Sequence, residues 1–321
     1  MKIPILTIPI VLKMISFKDY STIIVSSVSK KKNMNTSSIS NDIRTRLTAL
    51  RQEMKEQSVD TLIVPTSDPH LSEYLPLHWR SREWLSGFTG SAGTLIVGMK
   101  KASLWVDSRY WTQAEKQLEG SGIEMCRVSG GAQIPYLKWI EAHLPAGATV
   151  AIDGHLLSLS QGRLLEKALT DNQLSFRPDV DLISSIWKDR ASIPKTPVFE
   201  HTRQFVAMSR IDKIERIRYH MKESAANWHL ISTLDDIAWT FNLRGSDIEF
   251  NPVFIAYALI GPEKAVLFID SDKLSDEIRK SLVSDGIEIK AYEEISGVLQ
   301  RIPSGTAMLL DPRRTSYSMY R

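Results

Sequence analysis

The feature that most limits what this chain can fold into is that it repeats itself. Met54-Lys55-Glu56 ahead of Leu62-Ile63-Val64 is echoed by Met221-Lys222-Glu223 ahead of Leu230-Ile231. Further on, ASLWVDS at residues 102–108 is matched by AVLFIDS at residues 265–271. Met54 and Met221 lie 167 positions apart and Ala102 and Ala265 lie 163 apart, so two anchors recur at nearly one offset. Self-similarity at a fixed offset is the mark of an internal duplication. A chain of 321 residues has room for two domains of roughly 150 residues each. A duplicated domain therefore accounts for the length without a third fold.

The local pattern says what each copy is. After Ser40, with Asn41 and Asp42 available as caps, Ile43, Leu47, Leu50 and Met54 fall at spacings of three and four, one face of an amphipathic helix. Residues 61–64 read as a strand closed by Pro65, 94–97 and 103–106 as two more, 111–118 as a helix and 150–152 as another strand. Alternating helices and strands make an α/β layer domain with a mixed sheet flanked by helices, present twice. The pattern breaks at Trp187–Arg190 and at Ala191–Thr196, where Pro194 and Pro197 read as a linker. A helix over 209–221 then opens the second run. The expected division is an extension over 1–40, a first domain over 41–190 and a second over 191–321.

Residues 3–12 are apolar but carry Pro4 and Pro9 and end at Lys13, far short of the ~20 residues that span a bilayer. No A-x-A-like cleavage site follows. The expectation is that translation starts at Met34, with residues 1–33 an over-extended frame; a secretory leader is the alternative. Neither gives the segment a role in the fold.

Composition narrows the function classes. Hydrophobic residues make up 43% and charged residues 24%, the balance of a globular protein. A net charge of +3, with no basic face evident, gives no case for nucleic acid. The single cysteine, Cys126, excludes an intrachain disulfide and a cysteine-based zinc site. It reads as a buried, inert thiol.

Four stretches merit a functional reading. PTSDPHLSEY (65–74) follows the first strand, where open α/β sheets place functional loops. Asp68 there is read as a backbone cap, and His70 with Glu73 as a ligand pair lacking a third member. SGFTGSAGT (86–94) has neither a phosphate-loop nor a nucleophile-elbow register, so its glycines serve a turn and close approach. In WVDSRY (105–110), Asp107 is a helix cap shared with Asp270 of the repeat, but Arg109 belongs to the first copy alone. Its guanidinium fork suits a carboxylate, and it is the leading binding candidate against a surface salt bridge. In FNLRGSD (241–247), Gly245 is expected to end a helix, with Arg244 and Asp247 fastening the next connection. Asp236 and Asp247 have a spacing found in dinuclear metallopeptidases, but the last histidine, His229, precedes both, so the pair is rejected as a metal site. No catalytic constellation and no metal set is assembled.

PTSDPHLSEY, REWLSGFTGSAGT, LWVDSRYWTQA, LDDIAWTFNLRGSD and NPVFIAYALIG, in this order, resemble cytosolic-type Xaa-Pro aminopeptidases from about Ile43 onward. The resemblance implies two tandem creatinase-N-like domains followed by a pita-bread domain. That third domain holds two metal ions, usually manganese, through two aspartates, a histidine and two glutamates. None of those ligands has a counterpart here. The resemblance further implies a cytoplasmic parent enzyme, often dimeric, that releases the residue preceding proline. This chain would then be its non-catalytic part, shaping access to the site, with its own pita-bread domain and proline-containing peptides as partners, and neither nucleic acid nor membrane. Arg109 occupies the family's SRY position near the substrate pocket and would orient the peptide; His70 is a second, weaker substrate-binding candidate. The alternative is a stand-alone peptide-binding or scaffold module.

Overall fold

The structure is a computed structural model describing residues 36–321 except 129, 131 and 132. The expectations for residues 1–33 and Met34 lie outside the described residues. Helix α1 (Thr36–Glu56) starts five residues earlier than its cap pattern indicated. Ile43, Leu47, Leu50 and Met54 form its buried face, each at most 2% exposed. Burying such side chains contributes about 1.5–3 kcal/mol each, which outweighs the choice of first residue.

The first sheet comprises β1 (Thr61–Pro65), β2 (Thr94–Gly98), β3 (Ala102–Val106), β4 (Glu124–Arg127), β5 (Thr149–Ile152) and β6 (Ser175–Arg177), in the order β4-β3-β2-β1-β5-β6. Helices α2 (Ser81–Ser86), α3 (Trp111–Gln117), α4 (Leu137–His143) and α5 (Leu159–Asp171) flank it. Side chains alternate along each strand. Leu62 and Val64 join the core containing α1, while Ile63 and Ile96 join the core on the opposite face with Leu165.

The second half opens with β7 (Phe199–Glu200) and α6 (Arg210–Glu223), whose Ser209 and Asp212 form a reciprocal capping box. Its main strands are β8 (Trp228–Ile231), β10 (Ala256–Ile260), β11 (Ala265–Ile269), β12 (Ile287–Lys290) and β13 (Met308–Leu309), in the order β12-β11-β10-β8-β13. A short β9 (Leu243–Arg244) pairs with β7. The second half also holds α7 (Leu234–Thr240), α8 (Asp276–Ser284), α9 (Glu294–Gln300) and α10 (Tyr317–Tyr320).

Five strands of the first sheet match the five of the second in order and direction, and β6 adds a sixth at the edge of the first. β1–β2 and β2–β3 are antiparallel, with β3–β4 and β1–β5 parallel. β8–β10 and β10–β11 are antiparallel, with β11–β12 and β8–β13 parallel. The Met-Lys-Glu anchors end α1 and α6, and the second pair of anchors sits on β3 and β11, each followed by a turn capped by the repeated aspartate. The duplication read in the sequence is therefore a duplication of architecture.

One helix end differs from expectation. Helix α7 stops at Thr240, and Asn242 takes the left-handed conformation at φ 54°. Asparagine tolerates that region, so Gly245 is released for another task. A Cβ on Gly245 would stand 2.7 Å from Phe254 Cβ, so the glycine permits close packing of the connection into β10. The chain finally returns to the first half: Tyr317 of α10 is buried beside Leu165 and donates to Glu166 Oε2 at 2.8 Å. Among the described residues no helix is long and apolar enough to cross a membrane.

Candidate functional site

β1 ends at Pro65, and the loop it delivers runs between the two halves. Asp68, fully buried, folds that loop: its Oδ1 accepts from the backbone N–H of His70 and of Ser72, both at 2.9 Å. This is the local capping role that its place after a strand favoured. The same turn sends the His70 ring into the second half. There Nδ1 lies 2.8 Å from the Ser232 carbonyl and Nε2 lies 2.9 Å from the Tyr292 hydroxyl. A carbonyl only accepts, so Nδ1 carries the hydrogen and Nε2 accepts from the Tyr292 O–H. The ring also rests against Tyr257, centroids 4.4 Å apart, and Tyr257 Oη donates to the Pro69 carbonyl at 3.4 Å. Burial lowers the His70 pKa, with the nearby Asp68 carboxylate opposing. Tyr257 and Tyr292 are both raised by burial. Glu73 is solvent-exposed, whereas both His70 nitrogens are bonded inside the protein, so these two are not brought together as a ligand pair.

Arg109 stands elsewhere. Its Nε and Nη2 grip both oxygens of Asp107 at 2.9 and 2.8 Å, and its side chain is 67% exposed. These bonds hold the Asp107 pKa down and raise that of Arg109. Asp107 also caps the turn through the Arg109 N–H, as Asp270 does through Asp272 in the second copy. The fork suits a carboxylate, and here the carboxylate is its own neighbour's. Beside it, Tyr110 Oη meets Ser91 Oγ at 2.6 Å, tying this turn to the glycine-rich loop.

Arg82 organises that loop, and the sequence reading did not single it out. It is 3% exposed, and its guanidinium donates to Thr66 Oγ1 and to the carbonyls of Phe88 and Gly90. Burial pushes its pKa down to about 10. Within the loop, Gly87 caps α2 at φ 71°, and a Cβ on Gly90 would stand 2.2 Å from the Phe88 ring. The available signal was a charged residue on the inward side of REWLSGF, three positions before Leu85.

Two cavities flank these elements. One of about 250 Å³ is walled by Tyr74, Trp79 and Arg80 of the first half and by Ile248, Glu249 and Phe250 of the second. The other, about 340 Å³, lies at the carboxyl ends of β1 and β5 between Ser67, Gly93 and Tyr136, the crevice where open α/β sheets bind ligands. Phe250 is 97% exposed with φ 63°, an apolar side chain held out beside the first cavity.

The second half carries its own polar centre. Asp247 pairs with Lys273, and it accepts from the Ile255 N–H at 2.7 Å and from Thr196 Oγ1 at 2.5 Å. It thereby fastens both the linker and the start of β10. Arg244 donates to the carbonyls of Ala238 and Leu243. Asp236 instead accepts from Thr233 Oγ1 at the start of α7, so the two aspartates serve separate structural tasks. Cys126 is half-buried and its thiol is pushed up to about 11, chiefly by burial. Among the described residues no group of three His, Cys, Asp or Glu side chains converges to hold a metal.

Residues 46–183 and residues 189–321 each match the creatinase/prolidase N-terminal domain. A probable Xaa-Pro aminopeptidase P of Paracoccidioides lutzii is 40% identical over 257 residues, covering 79% of this chain and 41% of that protein. Xaa-Pro aminopeptidase 1 of Dictyostelium discoideum is 36% identical over 289 residues, covering 87% of this chain and 46% of that protein. The chain thus spans less than half the length of these relatives. In structure it resembles X-prolyl aminopeptidase of Caenorhabditis elegans, described as a cytosolic enzyme with a di-nuclear active site, at a TM-score of 0.79 and 25% identity, over 89% of this chain and 48% of that one. Two sheets that share five strands in order and direction, each in a region matched by a creatinase/prolidase N-terminal domain, establish that the chain belongs to the creatinase/prolidase N-terminal family, as two such domains in tandem with relatives named Xaa-Pro aminopeptidases.

Proposed function

We propose that this chain forms the non-catalytic N-terminal domains of a cytoplasmic Xaa-Pro aminopeptidase, where it shapes access of peptide ends to the active site. The observation that carries this is the paired match: both domains align with peptidase relatives, while more than half of each relative lies beyond the match. In this reading hydrolysis belongs to that remaining part of the relatives' length. Two metal ions, manganese by family resemblance, would lie there and supply an activated water and a stabilised oxyanion. The bond before proline is a tertiary amide with no N–H, so its recognition rests on the shape and orientation of the peptide end.

Such orientation is the task assigned to the present chain. Arg109, exposed at the turn after β3, would take a peptide carboxylate in exchange for Asp107. His70 would act on substrate only indirectly, by setting the loop 65–74. Walls built from both halves would restrict entry to narrow peptides. The partners are then the peptidase domain, proline-containing peptides and, in the complete enzyme, a second copy.

The test compares hydrolysis of an Xaa-Pro peptide with Mn²⁺ by this chain and by a version extended with the relatives' remaining domain. Activity confined to the extended protein supports the proposal. Activity in this chain alone overturns it. Peptide binding by this chain, with no activity in either protein, favours a stand-alone binding module, for which the cavity shared by the two halves provides the site.

A further inference from the structure

The loop after β1 is held at one end and displayed at the other. Its buried part, Pro69–His70, is bonded to Tyr257, Ser232 and Tyr292 of the second half. Its outer part, Glu73–Leu75, walls the 250 Å³ cavity whose opposite side is Ile248–Phe250. Few bonds of backbone separate the two parts, so the seat of His70 sets where Tyr74 stands relative to Phe250. We propose that His70 is a pH-responsive latch between the two halves: its neutral ring holds the cleft between Tyr74 and Phe250 at the observed width, and protonation releases the loop and widens the cleft.

The hydrogen bonds explain the direction. The neutral ring has one donor and one acceptor, and each has a partner, Ser232 O and Tyr292 Oη. A second proton makes Nε2 a donor, so Tyr292 must turn its hydroxyl hydrogen away. The new charge also sits in a site where His70 exposes only 1% of its surface. Opening gives that imidazolium water.

Charged neighbours act both ways. Asp68, on the same loop, attracts the proton, and its Oδ2 is buried without a hydrogen bond. Lys273, in the turn after β11, repels it, although Lys273 is itself paired with Asp247. Tyr257 from β10 and Tyr292 ahead of α9 stay neutral, and Ser232 after β8 offers only its carbonyl. Asp153 after β5 bears on Tyr257. Burial outweighs the Asp68 carboxylate and the hydrogen bond to the Ser232 carbonyl, both of which favour the proton, so the closed state disfavours it.

The experiment uses the whole chain with Cys126→Ser, Tyr74→Cys and Phe250→Cys, spin-labelled at the two new cysteines. Both labelled positions are exposed, at 56% and 97%. Pulsed dipolar spectroscopy from pH 7.5 to 4.5 follows the distance, and far-ultraviolet circular dichroism runs in parallel. Acid below the ordinary imidazole range is expected to bring in a longer distance with the helix signal unchanged. In His70→Gln the distance no longer responds to pH. In Tyr292→Phe, which keeps the ring stack but removes the donor to Nε2, the midpoint rises by about half to one pH unit. Four results each overturn the latch: a constant distance in the labelled parent, equal widening in His70→Gln, an unmoved midpoint in Tyr292→Phe, or widening that only accompanies loss of helix. The latch stands whatever the cleft binds.

Discussion

Asp247 and Lys273 form an ion pair sealed inside the second half, with side chains 0% and 1% exposed. Burial lowers the Lys273 pKa, and its hydrogen bond to Asp247 opposes that shift. The pair joins the linker, through Thr196, to the start of β10, through Ile255. Its worth lies in fixing that junction, because burying two charges offsets most of their attraction.

Removing one member should therefore be severe. Asp247→Ala leaves an ammonium buried without a counter-charge and is expected to lower stability by about 3–5 kcal/mol. The double variant Asp247→Ala, Lys273→Met should lose less than the sum of the two single changes. Urea unfolding of the four proteins measures the coupling.

His70 predicts an acid limit to stability. Its folded pKa is lowered, so below about pH 6.5 the unfolded chain takes a proton that the folded chain does not. The contribution is complete above that pH and is lost as pH falls through the folded pKa, with a slope of up to about 1.4 kcal/mol per pH unit. His78, also lowered chiefly by burial, adds in the same direction. The difference in urea midpoint between the parent and His70→Gln should therefore change between pH 7.5 and 5.5, with the parent losing more.

Arg82 donates to three acceptors, Thr66 Oγ1 and the carbonyls of Phe88 and Gly90. Arg82→Ala should cost about 2–4 kcal/mol by leaving the Phe88 and Gly90 carbonyls buried without a donor. Arg82→Lys should recover only part, because one ammonium cannot reproduce a planar fork. Thermal unfolding and amide exchange across residues 86–94 would show it.

Arg109 separates binding from folding. Its ion pair is exposed, so Arg109→Ala should leave the melting temperature unchanged. In the extended enzyme the same change should lower kcat/KM for an Xaa-Pro peptide by about 10-fold or more. An unchanged kcat/KM would remove Arg109 from the substrate path.

Some of this molecule is determined by local sequence. The α1 face at Ile43, Leu47, Leu50 and Met54, the strands over 61–65, 94–98 and 102–106, and the repeated aspartates Asp107 and Asp270 are all legible there. Periodicity and capping are properties of residues a few positions apart, so the chain displays them directly. The duplication was legible for a related reason: related folds preserve similar local patterns at nearly one offset. Asn242 in place of Gly245 at the end of α7 shows where that reasoning fails, because either residue tolerates a left-handed turn and packing against Phe254 made the choice.

The joint between the halves was decided only in three dimensions. His70 and Tyr292 are 222 positions apart, and Asp247 and Lys273 lie on different connections of the second half. Nothing in PTSDPHLSEY says that its histidine will be buried, because burial depends on a second sheet that arrives later in the chain. Arg109 illustrates the converse: sequence singled out its guanidinium fork, and the carboxylate it holds, Asp107, lies two residues before it. Local order follows from steric and hydrogen-bonding preferences along the backbone, whereas the pairing of buried polar groups follows from which surfaces the two cores leave facing each other.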